Sequence, residues 1–187
     1  MGCGLLVFHE NTSNLCCQAN NGGKRVGIVG IGGLGQMGVQ IAKAMGNSVT
    51  AISTSPNKEA AAKEIGADNF VVSTNQESLK AAAGSLDLIL NTVSANHDIN
   101  TYLPLLAAKG VIVQIGVAFK PHAVNQLQLM MKKLSIAGCL IGGLPETQDC
   151  IDFCHRHNII PKIKLITSKD LDGVYAALSE KNDAIIR

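Results

Sequence analysis

The sequence contains no tryptophan, and aromatic residues make up only 3% of its 187 residues. Aliphatic side chains must therefore build the core, because the apolar set, aromatics and cysteine included, still accounts for 47% of the chain. Buried parallel strands covered by helices have this kind of composition. The length suffices for one domain, or for one domain with part of a second.

Charged residues are also few, at 16%, and 16 Lys and Arg against 14 Asp and Glu leave a formal net charge of +2. So small an excess of positive charge argues against nucleic acid as the main partner. No apolar run approaches the ~20 residues that span a bilayer, and the first residues do not resemble a signal peptide. We therefore expect a cytoplasmic protein that binds neither nucleic acid nor membranes.

The six cysteines show no spacing that is typical of a metal site or a disulfide framework. Cys16 and Cys17 are adjacent, and Cys150 and Cys154 are four residues apart within a helical pattern. Zinc sites usually contain C-x-x-C or similar Cys/His pairs, which are absent here. We expect reduced thiols that pack as small apolar groups, and no metal site in this chain.

The chain divides into three parts by composition and periodicity. Residues 1–22 are polar and aperiodic, which predicts an irregular lead-in. Residues 23–143 alternate short apolar strands with helical segments, which predicts an α/β fold with a doubly wound parallel sheet. Six strands in two halves predict the Rossmann order 3-2-1-4-5-6. Residues 144–187 exceed what such a domain requires and are assigned to a separate C-terminal segment.

Turn residues and apolar periodicity give the expected elements. The predicted strands are 25–29, 49–52, 70–72, 86–90, 111–115 and 134–137. The predicted helices run from the glycine cluster to residue 45 and over 56–65, 97–108 and 125–132. Beyond residue 143 the sequence predicts a helix over 146–157, a strand over 163–166 and a helix over 171–180.

A glycine-rich loop directly follows the first predicted strand. Gly30, Gly32 and Gly35 form a G-x-G-x-x-G motif, with Gly33 and Leu34 inside it, and the motif opens a helix. That strand–loop–helix context makes a short motif specific. Gly30 permits the tight turn, Gly32 lets the backbone approach a pyrophosphate, and Gly35 allows close packing. Free N–H groups at the helix N-terminus favour negative charge, so the loop predicts a dinucleotide site.

The end of the second predicted strand indicates which dinucleotide binds. An NAD site has Asp or Glu there, ~20 residues beyond the loop, to accept hydrogen bonds from the ribose 2′-hydroxyl. This sequence has Ser53, Thr54 and Ser55, and then Lys58. Three hydroxyls and an ammonium would hold a 2′-phosphate, which predicts NADP. The alternative, compatible with it, is that the hydroxyls cap the next helix while Lys58 faces water.

Several segments together resemble one enzyme family: GKRVGIVGIGGLGQMGVQIAKAMG, VTAISTS, IGAD, LDLILNTV, GVIVQIGV and IAGCLIGGLPETQDCIDFC. They are similar to the zinc-dependent medium-chain alcohol dehydrogenases, and most of all to the cinnamyl alcohol dehydrogenase branch, which uses NADP. The resemblance covers residues 23–187. It implies reversible hydride transfer between NADP(H) and an alcohol/aldehyde pair, with zinc polarising the substrate oxygen.

The resemblance also assigns residues to the two ends of the dinucleotide. The glycine loop matches the family's pyrophosphate site, and residues 53–55 with Lys58 match its 2′-phosphate contacts. Seven residues match its nicotinamide side: Thr92, Val93, Gly116, Val117, Cys139, Leu140 and Ile141. Family members pair through the sixth strand, so the resemblance further implies a homodimer.

This sequence departs from the family pattern in the part that carries catalysis. The zinc-binding catalytic domain that precedes the glycine loop in the family is almost entirely absent, and Cys3 alone lies near the place of a ligand. Gln36 replaces a usual His, and Cys139 replaces a usual Ser. We expect the NADP-binding portion of such an enzyme, truncated at both ends, without catalytic residues and inactive alone. The alternative is a non-catalytic NADP-binding or sensing module.

Overall fold

The computed structural model describes residues 22–139, 141–163 and 165–179. Its sheet has six parallel strands: β1 (Arg25–Val29), β2 (Ser48–Ser53), β3 (Asn69–Val72), β4 (Leu86–Asn91), β5 (Leu106–Gln114) and β6 (Ser135–Gly138). Six helices accompany it: α1 (Gly33–Ala44), α2 (Glu59–Glu64), α3 (Gln76–Ala81), α4 (Gln126–Lys132), α5 (Leu144–Arg156) and α6 (Leu171–Ser179).

The strands lie in the order β3-β2-β1-β4-β5-β6, so the predicted Rossmann order is confirmed. Val26 of β1 pairs with Val49 of β2 on one side and with Leu88 of β4 on the other. Strands β2 and β3 therefore extend the sheet on one side of β1, and β4 to β6 extend it on the other. The direction of winding reverses at the boundary between β1 and β4. In open parallel sheets a ligand binds outside the carboxyl ends of the strands at such a point.

Each face of the sheet carries its own apolar core, because successive side chains of a strand point to opposite faces. Leu88 and Leu90 of β4 belong to one core, which α1, α2 and α5 cover. Ile89 of β4 and Ile112 of β5 belong to the other, which α3 and α4 cover. Both cores are almost purely aliphatic, as the composition predicts.

The predicted helix over 97–108 is wrong. Two 3₁₀ turns, Ile99–Thr101 and Leu103–Leu105, take its place, and β5 already begins at Leu106. Leu106 pairs with Leu86 of β4, and its side chain is fully buried. A proline, at 104, disfavours continuous helix, and strand pairing then decides the conformation of an apolar run that fits either structure.

The predicted strand over 163–166 is also wrong for the residues that are described. Ile163, Leu165 and Ile166 lie in neither strand nor helix, and the first two are 63% and 87% exposed. A segment with alternating apolar residues forms a strand only where a neighbouring strand is available for pairing. The described part of the chain provides no such strand beside this segment. The intervening Lys164 lies outside the described residues.

Helix α3 was not among the predicted elements. It is six residues long and buries one side chain, that of Leu79, so it has little apolar periodicity to detect. Its usable signal is the capping residue Asn75, whose side chain accepts hydrogen bonds from the backbone N–H groups of Glu77 and Ser78 at 2.8 and 3.2 Å.

The C-terminal segment is attached to α1 through a buried glutamine. The side chain of Gln36 is 2% exposed, and its Oε1 accepts a hydrogen bond from the backbone N–H of Lys162 at 3.1 Å. The ammonium of Lys162 pairs with Glu64 at 2.6 Å, and Ile159 enters the core that α1 covers. The division at residue 143 stays a prediction.

Two further predictions fall on parts of the chain outside the description. Residues 1–21 of the predicted lead-in lie outside the described residues. The final residue of the helix predicted over 171–180 also lies outside them. Among the described residues, no helix combines the length and the apolar character that crossing a membrane requires.

Candidate dinucleotide site

The glycine loop turns sharply at the carboxyl end of β1, and two of its positions admit only glycine. Gly30 has φ +88°, a conformation that other residues rarely adopt. A Cβ on Gly35 would lie 1.9 Å from the carbonyl oxygen of Gly30, which no rearrangement of a side chain could relieve. The N–H of Gly30 donates to the carbonyl oxygen of Ile52 at 3.0 Å. The first turn of α1 is thus held directly against β1 and β2.

Thr92 fastens the same loop to β4. Its hydroxyl lies 2.9 Å from the carbonyl oxygens of both Val29 and Gly30, and its N–H donates to Val29 at 3.0 Å. Val93 closes the loop from the same side, since a Cβ on Gly30 would meet Val93 Cγ2 at 2.7 Å. These contacts fix the crevice between β1 and β4.

The N-terminus of α1 faces open space beside this crevice. Its N-cap residue, Gly32, has no side chain to satisfy the first N–H groups, and the first turn has no acidic residue. A Cβ on Gly33 would have no described atom within 4 Å. Unsatisfied N–H groups and the helix dipole favour an anion here, and the glycines leave room for a phosphate.

The residues at the end of β2 approach the glycine loop from the other side. Ser53 and Ser55 are 7% and 9% exposed, and Ser53 Oγ accepts a hydrogen bond from the N–H of Ser55 at 3.2 Å. Thr54 is exposed. The Nζ of Lys58 donates to the carbonyl oxygen of Ile31, inside the loop, at 3.1 Å. Hydroxyls and an ammonium therefore border the loop where an NAD site would have a carboxylate.

The capping interpretation of these residues does not match the geometry. Ser55 occupies the N-cap position of the 3₁₀ turn Pro56–Lys58, yet its side chain makes no capping hydrogen bond. Lys58 is partly buried and directed at the loop instead of facing water.

The residues assigned to the nicotinamide side lie along the carboxyl ends of β4, β5 and β6. A Cβ on Gly116 would lie 2.4 Å from the carbonyl carbon and oxygen of Val93, so the two strand ends are in close contact. Val117 and Ile141 are 59% and 76% exposed. Cys139 is partly buried, and its N–H donates to the end of β5 at 3.0 Å. Leu140 lies outside the described residues.

Asn91 is a site residue that the sequence analysis missed. It is the last residue of β4, and its side chain is fully buried. Its Nδ2 lies 2.7 Å from Gln114 Oε1 and 2.8 Å from His97 Nε2. The available signal was a lone amide at the carboxyl end of the apolar strand LDLILN, where polar residues face the ligand crevice.

The described residues bring no three metal-ligating side chains together. Cys150 and Cys154 lie half-buried on α5 and pack against the core that α1 also covers. Burial raises the pKa of the Cys154 thiol, and a hydrogen bond with Cys150 only partly offsets this effect. A raised pKa disfavours the thiolate that binds metals. Cys3 lies outside the described residues.

Residues 33–156 match the family model described as zinc-binding dehydrogenase. This chain belongs to the zinc-binding dehydrogenase family. Probable cinnamyl alcohol dehydrogenase 6 of Oryza sativa subsp. japonica is 40% identical over 185 residues, which cover 98% of this chain and 51% of that protein. Probable formaldehyde dehydrogenase AdhA of Bacillus subtilis is 44% identical over 153 residues, which cover 82% of this chain and 44% of that protein.

Two solved dehydrogenase structures confirm the fold of this zinc-binding dehydrogenase chain. A cinnamyl alcohol dehydrogenase from Sorghum bicolor superposes with a TM-score of 0.89 at 36% identity and covers 100% of this chain and 52% of its own. The structure of the enzyme from Helicobacter pylori, complexed with NADP(H), superposes with a TM-score of 0.75 at 32% identity. The match covers 86% of this chain and 46% of that one. The predicted family resemblance is thereby confirmed, and the chain spans about half the length of these relatives.

Proposed function

We propose that this chain is the NADP-binding half of an alcohol dehydrogenase that interconverts an alcohol and an aldehyde. One observation carries the choice of cofactor: Lys58 Nζ lies 3.1 Å from the Ile31 carbonyl of the glycine loop, beside Ser53 and Ser55. A 2′-phosphate at the end of β2 would meet hydroxyls and an ammonium, and no carboxylate would repel it. The NADP(H)-bound relative from Helicobacter pylori supports the same choice.

The described residues support binding of the pyrophosphate and of the nicotinamide ring. The glycines at 30 and 35 form a cradle that a Cβ would fill, and the N-terminus of α1 offers unsatisfied N–H groups to the pyrophosphate. Thr92 and Val93 close the cradle from β4. The backbone contact between Val93 and Gly116 provides a firm wall for the nicotinamide. When bound, NADPH supplies the hydride, and these residues hold and orient the ring that carries it.

We propose further that this chain binds NADP(H) but does not turn over alcohols or aldehydes unaided. Val117 and Ile141 stand largely exposed on the nicotinamide side, so a substrate there would be open to water. In zinc-dependent relatives the metal needs three protein ligands, and the described residues assemble no such set. The described part of the chain therefore does not fit a catalytic zinc.

Two measurements on the purified chain test this function. The chain has no tryptophan, so the fluorescence of NADPH reports binding without overlapping protein emission. We expect saturable binding that excess NADP displaces. The absorbance of the nicotinamide, followed with cinnamaldehyde and short aldehydes with and without zinc, reports turnover. Absence of binding would contradict the cofactor proposal, and zinc-dependent turnover would contradict the proposed inactivity.

We propose that the chain forms a homodimer through β6. This strand ends the sheet, and no described strand pairs with its outer side. Its Ile136 is 37% exposed, and a free strand edge is a template for a second copy. Sedimentation should give a dimer that Ile136→Lys weakens, whereas Ile160→Lys in the C-terminal segment should not. A monomer at tens of micromolar would contradict the proposal.

A further inference from the structure

We propose that His97 is a positioning residue for the nicotinamide side of the site, because it holds the buried amide of Asn91 in one orientation. The inference rests on the proposed NADP-binding function. His97 lies in the loop that follows β4, outside the residues assigned to cofactor contacts. It acts through Asn91 on the strand ends that carry Val93 and Gly116.

Asn91 connects the ends of β4 and β5 through nearly every polar atom that it has. Its carbonyl oxygen accepts hydrogen bonds from the N–H groups of Ile115 and Gly116 at 2.9 and 3.0 Å. Its side-chain Oδ1 accepts from the N–H of Val93 at 3.3 Å. A backbone N–H can only donate, so this contact identifies the oxygen of the amide. The other end is therefore the NH2 group.

The two hydrogens of that NH2 group have one acceptor each. Asn91 Nδ2 donates to Gln114 Oε1 at 2.7 Å, and its second hydrogen points to His97 Nε2 at 2.8 Å. Asn91 is fully buried in the folded chain, so its amide relies on acceptors that the protein provides. Without His97 one N–H would stay buried and unpaired, a costly state that drives rearrangement.

The partners of His97 determine its tautomer. Nδ1 lies 2.7 Å from the carbonyl oxygen of Ala95, which can only accept, so Nδ1 carries a hydrogen. Nε2 faces the donor Asn91 Nδ2 and must be without one. The ring also contacts the rings of His122 and Tyr102, with centroids 5.0 and 5.9 Å away. His97 therefore presents a fixed acceptor to Asn91 from a fixed ring.

The effect of losing this acceptor is confined to one end of the site. If the Asn91 amide turns, its oxygen leaves the N–H of Val93, and the contact between Val93 and Gly116 loosens. The 2′-phosphate end is formed by different elements, the end of β2 and Lys58, whose hydrogen bonds join Ser53 to Ser55 and Lys58 to Ile31 of the glycine loop. Loss of His97 should therefore weaken the hold on nicotinamide and leave the adenosine end intact.

The test compares two variants and two ligands on the full chain. His97→Asn keeps a donor for the Ala95 carbonyl but is too short to accept from Asn91, whereas His97→Gln places an acceptor near the position of Nε2. The ligands are NADP and adenosine 2′,5′-bisphosphate, which lacks the nicotinamide half. We expect His97→Asn to weaken NADP about tenfold and the bisphosphate less than about twofold, and His97→Gln to restore most of the loss.

Other outcomes overturn the inference. Equal losses for both ligands would indicate a merely structural role, and unchanged NADP affinity in His97→Asn would show that the acceptor is dispensable. Failure of His97→Gln to restore binding would exclude the hydrogen bond as the cause. Nitrogen-15 NMR of the unmodified chain should show the Nδ1–H tautomer, and the Nε2–H tautomer would contradict the geometry. If the unmodified chain binds neither ligand, the proposed function itself fails.

Discussion

The ammonium of Lys58 donates a hydrogen bond to the carbonyl oxygen of Ile31, 3.1 Å away and 27 positions earlier in the chain. One side chain thereby joins the turn after β2 to the glycine loop. In the proposed complex the same ammonium borders the 2′-phosphate. The proposed function thus gives Lys58 two roles, to hold the loop for any dinucleotide and to attract the phosphate that only NADP carries.

Replacing Lys58 by methionine separates these two roles. We expect Lys58→Met to weaken NADP by about tenfold to a hundredfold, because a charge-assisted hydrogen bond to the phosphate is lost. NAD should weaken by only about threefold, through the lost bond to the loop. Calorimetric titration measures both, with Lys63→Met on α2 as the control. An unchanged affinity for NAD would contradict the loop-holding role, and an unchanged affinity for NADP would contradict the phosphate site.

A carboxylate at the end of β2 should reverse the choice of cofactor. Ser53→Asp supplies an acceptor for a ribose 2′-hydroxyl and repels a 2′-phosphate, so we expect NAD to bind more tightly than NADP. Ser53→Asn has nearly the same shape without the charge and should not favour NAD to the same degree. Dissociation constants for both dinucleotides check the result. Continued preference of Ser53→Asp for NADP would place the phosphate elsewhere.

Two glycines in the first turn of α1, Gly33 and Gly35, should respond differently to replacement by alanine. In Gly35→Ala the new Cβ would meet the Gly30 carbonyl oxygen at 1.9 Å, so backbone must move. Overpacking of this kind costs about 1–3 kcal/mol, which lowers the thermal midpoint by roughly 3–10 °C in a chain of this size. Gly33→Ala has open space and is the matched control. Calorimetry showing equal midpoints would contradict the close packing of the loop on β1.

The ion pair between Arg25 and Asp87 should make the free energy of unfolding depend on pH in the acidic range. The side-chain hydrogen bond from Arg25 holds the pKa of Asp87 below its usual range. A carboxyl with a lowered folded-state pKa stabilises the fold above its unfolded pKa, and this contribution is lost as pH falls through the folded pKa. Asp87→Asn should therefore lower the free energy of unfolding at pH 7 by no more than ~1 kcal/mol and flatten its decline below about pH 4.

Urea denaturation across pH 2–7 measures this effect. Asp172→Asn, at an exposed position of α6, is the control and should leave the profile unchanged. An identical acid decline in Asp87→Asn and the unmodified chain would show that the pair contributes nothing to the fold.

The sequence predicts most of the fold because strand signals and burial coincide here. Each of the six strands contains a short apolar run that the sequence reveals, and the glycine motif places α1 directly after β1. The apolar residues around Leu105 are compatible with either a helix or a strand. Their conformation depends on pairing with β4, which the local sequence does not encode. Helix α3 is the opposite case, with too few apolar residues to detect.

The candidate site could be predicted from motif and strand-end residue types, whereas its internal contacts could not. Ser53 and Lys58 stand out by residue type at a known position relative to the glycine loop. The acceptor for Lys58 is a backbone carbonyl on a different element, and a residue's type gives no indication of such a partner. Asn91 and Gln114 meet across two strands that are far apart in sequence, so their hydrogen bond follows only from the strand register.

The side-by-side titration of the unmodified chain with NADP and NAD tests the central claim most directly. The hydroxyls at 53–55 and the ammonium of Lys58 should make NADP bind at least about tenfold more tightly, since one charge-assisted hydrogen bond suffices for that difference. Equal affinities, or tighter binding of NAD, would contradict the assignment of a 2′-phosphate site at the end of β2.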